Sequence, residues 1–315
     1  MKAVFGFFKR HTGENFILAA LVLLIIGFGL AADNFFSVVT LTTILNQLPA
    51  LTTLTVGMTF VLIVAGIDLS VGSVLGFSAT VVGVAAVGYG LPLPLACAAG
   101  VLAGLACGLV NGALVSRFAL PSFIVTLGML EMARGLAYQA SNSQTMYIGA
   151  SIQSIALPLP GIGLSGALLF ALALVVAGQF VLTRTVFGRH LVAIGTNEEA
   201  ARMSGIDSRP YRLAVLGLSG MLAGVAGIFN AAYLGSADPN AGFGMELAAI
   251  AAAVIGGTSL MGGRGSVIGA FAGVLIIAIL QNGLAQVGAT EPTKRIITGA
   301  VIVIAVLVDR WRARR

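Results

Sequence analysis

From Thr183 to Arg212 the chain reads Thr-Arg-Thr-Val-Phe-Gly-Arg-His-Leu-Val-Ala-Ile-Gly-Thr-Asn-Glu-Glu-Ala-Ala-Arg-Met-Ser-Gly-Ile-Asp-Ser-Arg-Pro-Tyr-Arg. Eight of the chain's 28 charged residues fall in these 30 positions: Arg184, Arg189, Glu198, Glu199, Arg202, Asp207, Arg209 and Arg212. Thr196 and Glu199 have the S/T-x-x-E spacing in which two side chains satisfy backbone N–H groups at a helix start. The acids fall in the first turn, Arg202 comes later, and Gly205 is placed to close the helix in a left-handed conformation. A short, capped, charged helix between apolar blocks is what a membrane protein presents to a soluble partner. An ordinary cytoplasmic loop has the same look, so the stretch has to be read with its surroundings.

Those surroundings are oily. Of the 315 residues 58% are hydrophobic and only 9% charged, and mean hydropathy is +1.04. A soluble domain carries roughly 25% charged residues, so this chain cannot cover a water-facing surface and is an integral membrane protein. The net charge of +6 would suggest nucleic acid in a soluble protein. Here the bases flank apolar blocks, and orientation in membrane lipid with positive charge inside accounts for them better. The 42 glycines fit closely packed transmembrane helices. Cys97 and Cys107 stand ten residues apart on one expected helix, about 15 Å by helical rise and too far for a disulfide. His11 and His190 are isolated, and no ligand set has metal spacing. The first apolar block follows Lys2, Lys9 and Arg10 but is longer than a signal-peptide core, so it is read as an anchor.

A crossing needs about 20 apolar residues, and ten blocks qualify: 16–32, 43–65, 70–88, 93–115, 120–139, 164–182, 212–234, 247–262, 266–287 and 295–308. The block at 247–262 is short and Gly-rich and is read as broken or tilted. With both termini inside, 14 of the 17 bases fall on the cytoplasmic side, including the five arginines between 184 and 212 and Arg310 to Arg315. Lys294 and Arg295 fall outside, and Arg134 lies near the outer end of its span. The uncharged segment 140–163 then faces outward. The expected fold class is all-α, a polytopic membrane protein of about ten helices forming a single domain over 1–315. A faint echo, Gly72-Ser73-Val74-Leu75-Gly76 against Gly265-Ser266-Val267-Ile268-Gly269, suggests the repeated halves common in transporters. The span count runs both copies in the same direction.

Few residues offer chemistry. Asp68 sits between two blocks in Ala-Gly-Ile-Asp-Leu-Ser. It is either an intramembrane functional group or, with Ser70, the cap of the next helix; the cap is the favoured reading. Glu131 and Arg134 share a helix face three residues apart and are expected to neutralise each other. Asn46, Gln47, Asn111, Asn230, Gln281 and Asn282 are amides in or beside spans that either line a polar path or join helices. Asp238-Pro239-Asn240-Ala241-Gly242-Phe243-Gly244-Met245-Glu246 is an outer loop with turn chemistry, a docking surface or a gate. The Gly-rich run at 258–265 lacks the Gly-x-x-x-x-Gly-Lys-Ser/Thr pattern of a phosphate loop, and no hydrolase elbow or zinc-protease motif is present.

Several segments together resemble a known family. Val56-Gly57-Met58-Thr59, Gly66-Ile67-Asp68-Leu69-Ser70-Val71-Gly72-Ser73 and Pro121-Ser122-Phe123-Ile124-Val125-Thr126-Leu127-Gly128 are similar to the ribose-type sugar permeases of bacterial ATP-binding-cassette importers. So are the run from Ala193 to Arg202 with Ser204-Gly205-Ile206, the run from Glu246 to Ala252, and the run from Ile255 to Gly265. The ordered set covers about 33–308. The family usually has Gly-Gly-Asn where this chain has Gly195-Thr196-Asn197. The resemblance implies a type II importer-like permease fold in the bacterial inner membrane. It implies a monosaccharide substrate and three partners: a second permease copy, a cytoplasmic ATPase and a periplasmic sugar-binding protein. No cofactor is expected on this chain, which is not an enzyme; ATP and Mg would sit on the ATPase. The coupling segment maps onto Gly188–Ile206, with Asn197, Glu198, Glu199, Ala200, Arg202 and Gly205 at its centre. The expected substrate path is Asn46, Asp68, Ser70, Asn111, Asn230 and Asn282, and the expected docking residues for the binding protein are Arg134, Asp238 and Glu246. The competing reading is an ion-coupled secondary transporter with Asp68, Glu131 or Glu246 as its proton site. A membrane scaffold or lipid-handling enzyme, and a lipid or amino-acid importer of the same plan, complete the alternatives.

Overall fold

The computed structural model describes residues 12–161 and 163–313. The terminal bases used for orientation, Lys2 to Arg10 and Arg310 to Arg315, and His11 lie outside the residues whose side chains are described. Thirteen helices are described: α1 Thr12–Ala31, α2 Val38–Ile63, α3 Val71–Gly83 (continued by a π turn over Val84–Gly88), α4 Leu93–Phe118, α5 Ser122–Ser141, α6 Ala150–Gln153, α7 Gly166–Arg184, α8 Val186–Thr196, α9 Glu198–Met203, α10 Ser208–Leu234, α11 Met245–Ile255, α12 Val267–Gln286 and α13 Glu291–Ala313. Each of the ten expected blocks contains one helix. Six helices (α2, α3 with its π turn, α4, α7, α10 and α12) are long and apolar enough to cross a membrane; the apolar part of α1 and α11 are shorter. The chain is a multi-pass helical membrane protein.

α2 is the central post. Eighteen of its 26 residues are buried, including Thr53, Thr55 and Thr59. Threonine survives in such a place because its hydroxyl can bond back along the helix: Thr53 donates to the Pro49 carbonyl, Thr55 to Leu51 and Thr59 to Thr55, each at 2.7 Å. α10 packs on α2 from one side and on α4 from the other. The α4–α10 contact is nearly backbone on backbone. A Cβ at Gly104 would overlap the Gly220 carbonyl and stand 2.9 Å from Gly224 N, the small-residue approach that drives helix association in lipid.

The block at 247–262, expected to be broken or tilted, is broken: its helix is half-length. α11 stops at Ile255, and Gly256 to Ser266 is non-helical. Gly257 at φ +89° turns the chain, and Gly256 is pressed against the backbone of Gly269 and Ala270 in α12. A matching break, Val64 to Ser70, separates α2 from α3. The two copies of the Gly-Ser-Val echo thus stand at the starts of α3 and α12, each after a break. The expected outer segment 140–163 is not simply a loop. Met146–Tyr147 (β1) pairs antiparallel with Ser236–Ala237 (β2), Met146 opposite Ala237, so both expected outer loops meet on one side of the molecule. Cys97 and Cys107 are free thiols, half-buried and buried.

Candidate translocation site and cytoplasmic arm

A cavity of about 350 Å³ opens between α2, α10, α11 and α12. Its polar lining is Asn46, Gln47, Asn230, Tyr233 and Gln281, and its apolar lining includes Phe229 and Phe243. A neighbouring cavity of about 520 Å³ shares Gln47, Phe243 and Gln281 and adds Asn282, Glu246, Lys294 and Arg295. Gln47 joins the two. Its Oε1 accepts from Asn282 Nδ2 at 3.0 Å, and its Nε2 donates to Tyr233 Oη at 3.4 Å. Asn46, Asn230 and Asn282 are therefore brought together, as the sequence analysis grouped them. Tyr233 and Phe243 were missed there. The signal was present, since Asn230 and Tyr233 are three apart on α10 and share a face.

Asp68, Ser70 and Asn111 line neither cavity. They form a knot, each with 1% or less of its surface exposed. Asp68 Oδ1 accepts from the Ser70 N–H at 3.0 Å and the Ser70 hydroxyl at 2.6 Å, and Oδ2 accepts from Ser219 Oγ at 2.8 Å. Asn111 Nδ2 donates to Ser70 Oγ at 3.1 Å. The capping assignment is corrected: Ser70 occupies the N-cap position of α3 but makes no side-chain cap bond, and Asp68 instead ties the break to α10. Two α5 hydroxyls finish the job. Ser122 Oγ accepts from the Ile67 N–H at 2.9 Å and Thr126 Oγ1 from the Leu69 N–H at 3.0 Å. Non-helical backbone at membrane depth is tolerated only when partners like these satisfy it.

The expected Glu131–Arg134 pair is not formed. Glu131 is exposed, and Arg134 Nη1 donates to the carbonyls of Pro239 and Ala241, the latter at 3.0 Å. Tyr138 Oη donates to Asn240 Oδ1 at 2.7 Å, and Asp238 Oδ1 accepts from the Asn240 N–H at 2.8 Å. A guanidinium on α5 reaches a turn more than a hundred residues away because that turn's carbonyls have no ladder to join. Glu246 lies against Gly72 of α3. The three expected docking residues, Arg134, Asp238 and Glu246, are all half-buried about this turn, while Asn240 and Phe243, not among them, are exposed.

On the opposite side, α8 and α9 form an arm. The cap of α9 is Asn197, whose Oδ1 accepts from the Ala200 N–H at 3.0 Å. Thr196, expected to cap it, ends α8 instead and donates to the Val192 carbonyl at 2.7 Å. Glu199 does not reach back; it pairs with Arg202 at 2.6 Å, a bond that pushes the guanidinium above its ordinary pKa. Gly205 closes the helix as expected, at φ +83°. Its N–H bonds the Arg202 carbonyl and the Ile206 N–H the Ala201 carbonyl, both at 3.0 Å, the double bond of a Schellman ending. Glu198 anchors the arm to α10 through Arg212 and Ser208, both at 2.6 Å. His190, isolated in sequence, meets Tyr211 of α10 at 2.5 Å through Nδ1.

This is a membrane-embedded helical path with a charged arm on one side and a pinned turn on the other, the plan of a transport permease. The family described as the permease component of branched-chain amino acid transport systems matches residues 40–306, and the chain belongs to it. Among individual relatives, the chain is 38% identical to the ribose import permease protein of Escherichia coli (strain K12), with 96% of this chain and 95% of the relative covered. It is 36% identical to the fructose import permease protein of Rhizobium meliloti, covering 93% and 84% respectively. It is also 36% identical to the D-allose transport system permease protein of Escherichia coli (strain K12), covering 97% and 93%.

Proposed function

We propose that this chain is the permease subunit of an ATP-driven importer that carries a monosaccharide across the bacterial inner membrane. The carrying observation is the paired cavity. Five amides, a tyrosine and two phenylalanines line a space inside a helical membrane protein, and its two parts of about 350 and 520 Å³ lie within the range of ligand pockets, about 300–1,000 Å³. Amide groups both donate and accept, which suits hydroxyl-rich solutes. Relatives of nearly full length named for ribose, fructose and allose import support the same class. In this reading ten helices cross the membrane, both termini are cytoplasmic, and two copies pair. α9 seats in a groove of a cytoplasmic ATPase, which holds the ATP and Mg. A periplasmic sugar-binding protein delivers substrate to the turn at 238–243.

The test is to co-express the chain with an ATPase subunit and a sugar-binding protein of this importer type. ATP hydrolysis and uptake are then measured in lipid vesicles with ribose, fructose and allose. Hydrolysis stimulated by one loaded binding protein is expected, and Glu199→Arg should abolish that stimulation while the chain still inserts. Gradient-driven uptake by the chain alone, without ATP, would replace this reading with ion coupling.

A further inference from the structure

The end of α8 lies in backbone contact with both breaks. Asn197 is at once the last cap of α8 and the first cap of α9, so no slack separates the arm's two helices. Immediately before it, Gly195 is seated so tightly that a Cβ there would overlap the Ile63 carbonyl and stand 2.6 Å from Gly263 N. Ile63 is the last residue of α2, and its otherwise unpaired terminal carbonyl accepts from the Gly263 N–H at 2.9 Å. Gly262 and Gly263 adopt φ +85° and +74°. A Cβ at Gly262 would stand 2.8 Å from both the Gly195 carbonyl oxygen and Ala65 Cβ. One at Gly263 would meet the Thr196 hydroxyl at 2.5 Å and the Thr196 backbone at 2.9 Å. Three segments thus meet with almost nothing between them but main chain: 63–65 at the head of the first break, 195–196 at the root of α9, and 262–263 inside the second break. Ile63, Leu191, Ile194 and Val267, all 2% exposed or less, surround the junction with apolar packing.

We propose that this junction is the knuckle through which movement of α9 reaches the two breaks, with Gly195 as the positioning residue. The proposal rests on the importer reading above. A side chain between two helices can change rotamer and absorb a displacement; apposed main chain cannot, since packed interiors transmit strain. A push on α9 along α8 therefore moves the 63–65 and 262–263 turns together. Those turns lead into α3 and α12, and α12 lines both cavities. The tightest main-chain contact is made at the Gly195 position, and the Thr196 hydroxyl also lies over Gly263.

The experiment reads the ratio of binding-protein-stimulated to basal ATP hydrolysis, with uptake, in the reconstituted complex. For Gly195→Ala we expect unchanged assembly and basal hydrolysis within about twofold, but a stimulation ratio near one and uptake reduced at least tenfold. Thr196→Ser, which keeps both Gly195 and the hydroxyl over Gly263, is expected to match the wild type. Stimulation retained in Gly195→Ala, or lost together with assembly and basal hydrolysis in a folded variant, overturns the knuckle. Should Gly195→Ala fail to fold, spin labels at exposed Arg189 of α8 and exposed Met261 in the second break decide the matter, with doubly labelled permease diluted into unlabelled. Their separation should stay constant to within about 2 Å, the scale of small helix shifts, between nucleotide-free and ATP-bound states. The separation from Arg189 to Tyr147 on the outer side should change. An Arg189–Met261 change beyond that, or no change in either pair, overturns the proposal. If the wild type itself shows no stimulated hydrolysis, the importer reading fails, and this inference falls with it.

Discussion

The arm at 186–206 and the break at 64–70 both place polar groups at a joint between helices, and they satisfy them in opposite ways. Within α9 itself, partners are near in sequence: Asn197 with Ala200, Glu199 with Arg202, Ile206 with Ala201, and only Glu198 reaches the neighbouring α10. In the break, partners come from other helices, Ser219 for Asp68 and Ser122 and Thr126 for the backbone of Ile67 and Leu69. Water can replace a partner lost from the arm. It is shut out from Asp68, Ser70 and Ser219 in the break's knot, each 1% exposed. Similar chemical changes should therefore have very different effects on stability in the two regions.

The sharpest way to break this contrast is Asp68→Ala. It strands the Ser70 N–H, the Ser70 hydroxyl and the Ser219 hydroxyl, and an unsatisfied buried group costs about 1–3 kcal/mol. A loss of roughly 3 kcal/mol or more should show as a clear fall in the detergent melting midpoint, read by size exclusion after heating. Asp68→Asn keeps an acceptor and should lose less; equal midpoints for Asp68→Ala and the wild type would mean that water enters the break. Next comes the double change Ser122→Ala with Thr126→Ala, which orphans two backbone N–H groups at about 1–3 kcal/mol each. The same heating series measures it, with each single variant expected at an intermediate midpoint. Asn197→Ala removes one cap from a solvated helix, worth about 1 kcal/mol locally. Here the midpoint should scarcely move while α9 frays, seen as faster amide exchange at Ala200 and Ala201; Asn197→Asp should restore protection. Smallest is Glu199→Gln. Its ion pair with Arg202 is fully exposed, so neither the melting midpoint nor its salt dependence should change. A marked loss of stability there would erase the distinction between the two regions.

What the sequence determined by itself was whatever depends on local composition and spacing. Apolar run length placed a helix in each of ten blocks, because lipid leaves the backbone no partner but itself. Gly205 ended α9 because only a left-handed residue closes that turn cheaply. The charges between 184 and 212 marked a water-exposed arm because lipid excludes them. The ordered motifs from Val56 to Gly265 carried the family. Choices between equally suitable neighbours were not legible: Thr196 and Asn197 are both good caps, and Thr196 was drawn instead to the Val192 carbonyl.

The tertiary structure decided everything whose partner lies far along the chain. Arg134 has an acid three residues away, yet it serves the carbonyls of Pro239 and Ala241, which have greater need of a donor. Asp68 looked like a local cap and became a tie between the first break and α10. The block at 247–262 lost its second half because Gly256 meets Gly269 of the next helix. Tyr233, Gln47 and Phe243 face one cavity only because α2, α10, α11 and α12 converge there. Spacing records which residues share a helix face. Which faces meet is settled by packing, since inside the membrane every polar group must find its partner within the protein.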